Sequence, residues 1–120
     1  MTDTALNMHK ILPVFASVWL SAFSPLAAAQ ACDYPKSPPV PNGETVTEPD
    51  MREAQKNVRA FIAAAEAYLA CLKKMEEDAT QPMSDRQAAI NVARYNAMVD
   101  EMHRVSDEYN VAVRMFKARQ

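Results

Sequence analysis

The sequence predicts an all-α protein, a long antiparallel, coiled-coil-like helical hairpin preceded by a proline-rich arm held by a disulfide. Three observations carry that expectation. Beyond Pro49 there is no glycine and a single proline, Pro82, which divides the stretch into two lengths, each long enough for a helix of more than about 25 residues. Apolar residues recur at seven-residue spacing within both lengths. The only two cysteines are Cys32, at the start of the arm, and Cys71, well inside the first helical length.

The first element is a leader. His9 and Lys10 precede an apolar stretch, 11–29, interrupted only by Ser17, Ser21 and Ser24 among polar side chains, and broken by Pro25. A basic end, a short apolar core and then small residues is the order of a secretory signal peptide, assigned here to 1–29. Cleavage after Ala29 and cleavage after Ala31 both satisfy the small-x-small requirement. A transmembrane anchor is disfavoured because the core is short and proline-broken. A lipoprotein acylated on Cys32 is the other fate. Ala31 and Cys32 fit that pattern, Ala29 and Gln30 depart from it, and such an anchor would leave Cys71 unpaired. Export places the working protein in the periplasm, with lipid anchoring through Cys32 as the alternative.

The remaining chain, about 90 residues, suffices for one domain. Its net charge of -2 and lack of any basic block argue against nucleic acid and anionic membranes as partners. One glycine in the whole chain leaves no loop to cradle a nucleotide.

The arm, 32–47, packs Pro35, Pro38, Pro39 and Pro41 into seven residues, which favours polyproline II and forbids helix. Asn42-Gly43 then marks a turn. Extended, the arm reaches roughly 45 Å, while Thr47 to Cys71 spans about 36 Å of helix. Cys32 therefore reaches back to Cys71 with slack to spare. Closing that ring would constrain the unfolded chain by about 4 kcal/mol in the loop-entropy model. Tyr34 and Val40 are the side chains expected to pin the arm.

The hairpin domain is expected over 48–119. Thr47 caps the first helix, with Asp50 three residues on as a variant of the capping box and Pro49 in the first turn. Met51, Val58, Ala65 and Leu72 form one row, Gln55, Ile62, Leu69 and Glu76 its neighbour, and Ala54, Phe61, Tyr68 and Met75 widen the stripe. Thr80-Gln81-Pro82-Met83 interrupts, and Ser84 caps a second helix running toward Arg119. Its rows are expected to be Ala88, Tyr95, Met102, Tyr109, Phe116 and Val92, Val99, Ser106, Val113, flanked by Asn91, Met98, Val105 and Ala112. So short a connection makes the helices antiparallel neighbours. A hairpin has little interior for its length, so self-association into a four-helix bundle would cover its wide stripes.

Within the second helix Tyr95-Asn96-x-x-Val99 recurs as Tyr109-Asn110-x-x-Val113, two heptads on, so both copies face the same way. Coiled-coil periodicity accounts for this echo. The sharper reading is a ladder recognised by a partner or by the arm. Phe61, Tyr68, Tyr95, Asn96, Tyr109 and Asn110 are the candidate contact residues.

Chemistry-bearing sets are thin. Cys71 lacks a CxxC partner. His103 has Asp100 and Asp107 on one side of the helix, and Met98 and Met102 nearby offer thioethers suited to copper(I). His103, Met98, Met102 and Asp107 are therefore the candidate ligands for copper or zinc, against the plainer reading of a surface ion cluster and of methionines filling space. No motif implies a cofactor, and no catalytic set assembles.

The exported cysteine, the proline-rich arm, the Thr47-x-x-Asp50-Met51 start, Tyr68-Leu69-x-Cys71 and the Tyr-Asn-x-x-Val pair together resemble small uncharacterised helical envelope proteins of Gram-negative bacteria. The resemblance covers most of the chain after the leader. It implies a periplasmic location and carries no activity with it. The expected function is a non-enzymatic periplasmic protein mediating self-association or contacts with another envelope protein. A periplasmic metal-binding protein is the alternative, and an outer-membrane-anchored lipoprotein with a structural role the second alternative.

Overall fold

The computed structural model describes residues 31–120, and the leader assigned to 1–29 lies outside them. The described residues form two helices, α1 (Glu48–Glu77) and α2 (Asp85–Ala118), with the arm laid along them. No helix among them is long and apolar enough to cross a membrane.

Local chemistry sets the helix ends. Thr47 is extended and its hydroxyl accepts from the Asp50 N–H at 3.3 Å while donating to the Asp50 carboxylate. Glu48 and Asp50 place negative charge at the positive end of the helix dipole. At the other end Asp78 caps α1, its N–H bonded to the Lys74 carbonyl at 2.9 Å. The Asp78 carboxylate, 2.8 Å from the Lys74 ammonium, raises the pKa of that lysine through a hydrogen bond. Ser84 begins α2, its Oγ accepting from the Gln87 N–H at 3.2 Å.

The first helix buries Met51, Ala54, Val58, Phe61, Ala65, Tyr68 and Leu72, alternating steps of three and four along one stripe. Two of the expected rows are thus realised. Met75 ends its row half-buried, and of the third row Gln55 and Glu76 are exposed while Ile62 and Leu69 are half-buried against the core.

On α2 the phase differs from expectation. The buried row is Asn91, Met98, Val105 and Ala112, the set expected only to flank the seam. Tyr95 is 46% exposed and Val92 57%, although both were placed in the seam rows. The arm is the reason. It packs beside one edge of α2 while α1 packs beside the other, so the row between these two neighbours is the one sealed off.

The arm runs antiparallel to α1, from the loop end of the hairpin back to its open end. Cys32 and Cys71 are bonded, with Cα atoms 5.8 Å apart and 39 residues between them in sequence. Met75 Sδ lies 3.2 Å from Cys32 Sγ, a sulfur–sulfur contact, since a disulfide sulfur has no proton to donate. Tyr34 meets Tyr68 edge-to-face at 5.2 Å between ring centroids. Val40 packs against both halves of the core, and Val46 is itself buried beside Met51 and Ala112.

The turn at Asn42-Gly43 is held by the Val46 and Thr45 N–H groups on the Asn42 carbonyl, at 3.0 and 3.2 Å, and by the Glu44 N–H on Asn42 Oδ1 at 2.9 Å. Gly43 is required by close approach. A Cβ there would stand 2.1 Å from the Ala112 carbonyl oxygen and 2.8 Å from Met115 Cβ. Arg119 locks the same turn to the end of α2, donating to the Gly43 carbonyl at 3.0 Å and to the Val46 carbonyl while stacking 4.8 Å above Phe116.

Candidate functional site

An antiparallel helix pair presents two grooves, one on each side of its seam. In this protein the arm fills one of them. Arm contacts on α2 follow Arg104, Ala112, Met115 and Arg119. Helical spacing puts Val92, Tyr95, Val99, Ser106 and Val113 on the other side of the buried row. That second groove has Ile62 and Leu69 of α1 on its opposite wall, both half-buried. Its α2 side carries apolar side chains at Val92, Tyr95, Val99 and Val113, and Lys73 and Glu76 of α1 stand at its loop end.

Toward the loop end the open groove deepens into a recess of about 300 Å³ bounded by Leu72, Lys73, Glu76, Asn91, Val92, Tyr95 and Asn96. Asn91 forms its floor, only 1% exposed. The Asn91 amide donates to Glu76 Oε1 at 3.2 Å and approaches Met83 Sδ at 3.6 Å, while its carbonyl oxygen is buried without a partner. A buried, half-satisfied asparagine in an apolar seam costs about 1–3 kcal/mol and selects the register in which its amide finds Glu76.

On the arm side the electrostatics are different. Arg104 forks between Glu101, at 2.6 and 2.8 Å, and Glu108, at 2.8 Å, and reaches Ser37 of the arm at 3.4 Å. These hydrogen bonds, from Arg104 first and Ser37 second, hold the Glu101 carboxyl down at about 2. The same carboxylates raise the pKa of the Arg104 guanidinium further.

The six candidate contact residues divide between these environments. Phe61 (4% exposed) and Tyr68 (5%) are buried, Tyr68 directly beneath Tyr34 of the arm. Tyr95, Asn96 and Asn110 are exposed and Tyr109 is half-buried. Asn96 and Asn110 lie on the flank away from the arm, so a ladder read by the arm is not what the fold builds.

The four candidate metal ligands do not converge. Met98 is fully buried in the seam, Met102 half-buried, and His103 and Asp107 exposed. Five residues of helix separate Met98 from His103, which turns their side chains about 140° apart. No group of three or more His, Cys, Asp or Glu among the described residues is placed to hold a metal ion.

Asn91 and Arg119 were missed as functional positions of the fold. Asn91 carried a signal, a polar residue in register with Met98, Val105 and Ala112. Arg119 carried none, because its partners are backbone carbonyls of the arm. No protein-family model, no curated protein and no solved structure matches the chain.

Proposed function

We propose that this is a non-enzymatic periplasmic protein that uses the open groove of its hairpin to contact another copy of itself or another protein of the cell envelope. The observation that carries this reading is the asymmetry of the two grooves. The arm covers one, and the other keeps Val92 and Tyr95 about half exposed. Exposed apolar surface arranged along one helix flank is the signature of a contact face rather than of scattered surface residues.

Location in the periplasm rests on the leader and agrees with a disulfide as the main cross-link, since disulfides persist in oxidising compartments. The same bond bears on the lipoprotein alternative. Cys32 Sγ is bonded to Cys71, and an acylated Cys32 would have to give up that bond.

Photo-crosslinking in the periplasm tests the reading. A crosslinker at Tyr95 should give discrete protein adducts, and one at the exposed Ala63, on the back of α1, should give none. Adducts from Ala63 alone would sink it.

A further inference from the structure

We propose that Cys32, Cys71 and Met75, once the bond between the two cysteines is reduced, form a three-sulfur site for a copper(I) ion. The site lies under the start of the arm and is independent of the open groove and of the contact reading above.

Convergence is the first argument. Cys71 and Met75 stand one helical turn apart on the same face of α1, and the arm lays Cys32 over both. Cys32 Sγ is bonded to Cys71 and lies 3.2 Å from Met75 Sδ. Sulfur atoms from two segments distant in sequence thus meet at one point. All three residues are half-buried. A recess of about 450 Å³, bounded also by Tyr34, Tyr68 and Arg94, opens onto Cys32 and Met75 and gives an ion a way in.

The donor set selects the metal. Thiolates and a thioether are soft ligands and suit copper(I). A structural zinc site takes four ligands, and no group of three or more His, Cys, Asp and Glu among the described residues is placed to supply them. A trigonal ion with metal–sulfur bonds of about 2.3 Å spaces its donors about 4 Å apart. Cys32 and Met75 are already close to that spacing. Cα atoms 5.8 Å apart let the two cysteine sulfurs part by side-chain rotation. Two thiolates, a thioether and a singly charged ion leave one net negative charge, and Arg94 on the rim of the recess is the cation beside it.

The bridge opens by exchange with a dithiol. The dithiol supplies two electrons and two protons and leaves as its own disulfide, while Cys32 and Cys71 become thiols. Copper(I) then displaces both thiol protons and binds the two thiolates and a lone pair of Met75 Sδ, with no change in its own oxidation state. The ion closes the same ring as the disulfide, so it restrains the arm in the place of the bridge.

Anaerobic titration with copper(I) against a chromophoric copper(I) chelator tests this, on exported protein reduced by a dithiol and then freed of it. One copper per chain is expected, with three sulfur neighbours in X-ray absorption. Amide exchange over 32–47 should slow on copper addition toward its rate in the oxidised protein. Met75→Leu conserves side-chain volume and leaves the disulfide intact. It should weaken binding by about tenfold or more, since losing a direct donor costs at least what losing an outer partner does. His103→Ala should leave the affinity unchanged, and a loss there equal to that of Met75→Leu places the copper elsewhere and overturns the site. A reduced wild type that yields all its copper to the chelator overturns it too. Unchanged affinity in Met75→Leu overturns the three-sulfur set, as does one copper per two chains, the mark of thiolates bridging separate molecules. Circular dichroism before copper is added should show the helical content of the oxidised protein, and a reduced chain without its helices overturns the proposal because the donors then have no frame.

Discussion

The two grooves of the hairpin are built from the same two helices, yet they differ in what covers them. On one side the arm supplies Tyr34, Val40 and Val46, and the helix residues beneath it, Phe61 and Tyr68 among them, are buried. On the other side nothing among the described residues covers Val92 and Tyr95, which stay about half exposed. Apolar side chains flank the seam on both sides, so hydrophobicity alone does not separate the grooves. What separates them is tethering. The disulfide at one end of the arm and the Thr47 cap at the other leave it a single course, along α1 and over one groove only.

The comparison predicts that substitutions on the arm side change stability while those on the open side change association. The largest effect should come from Cys71→Ala. Releasing the tether should lower stability by about 2–4 kcal/mol in urea unfolding and speed amide exchange over 32–47, with helical content retained. An arm that stays protected without the disulfide would show that packing, not tethering, decides which groove is covered.

Gly43→Ala should come next. Its Cβ would collide with the Ala112 carbonyl, a backbone atom that cannot swing aside, so the turn must lift from α2. A loss of about 1–3 kcal/mol is expected, seen as a lower denaturation midpoint, together with weaker protection at Val46. An unchanged midpoint would remove the close approach from the account.

Asn91→Leu tests the seam shared by both grooves. It removes the buried carbonyl oxygen that lacks a partner, and Glu76 is exposed and returns to water. Stability should rise by about 1 kcal/mol. The cost should appear as lost register specificity, read as doubled amide resonances near Met98.

The smallest effect should be acid sensitivity of the arm. The Glu101 carboxyl is held at about 2, below its ordinary 4.5, by hydrogen bonds from Arg104 and then Ser37. A carboxyl depressed in the folded state contributes stability that is complete above about 4.5 and lost as pH falls toward about 2. Arm protection around Ser37 should therefore decline through that window, and Glu101→Gln should flatten the dependence.

Much of this was legible in the residues. Thr47 and Ser84 announce both helix starts because their hydroxyls complete the first turn locally. The α1 stripe was legible because Met51, Val58, Ala65 and Leu72 recur cleanly. The α2 phase was not. Its apolar residues are spread over several rows, so spacing alone leaves open which row lies deepest. For the same reason Tyr95 was expected in the seam and stands exposed.

The amino-acid sequence by itself determined the elements that depend on neighbours a few residues away: two long helices, their caps, the break at Pro82 and an arm unable to become helix. It also determined that Cys32 could reach Cys71, since that follows from chain lengths. Only the tertiary structure decided which groove the arm occupies, which row of α2 is sealed and where Asn91 is left half-satisfied. Those outcomes depend on three segments packing at once, and the burial of each side chain is set by whichever neighbour arrives on its side.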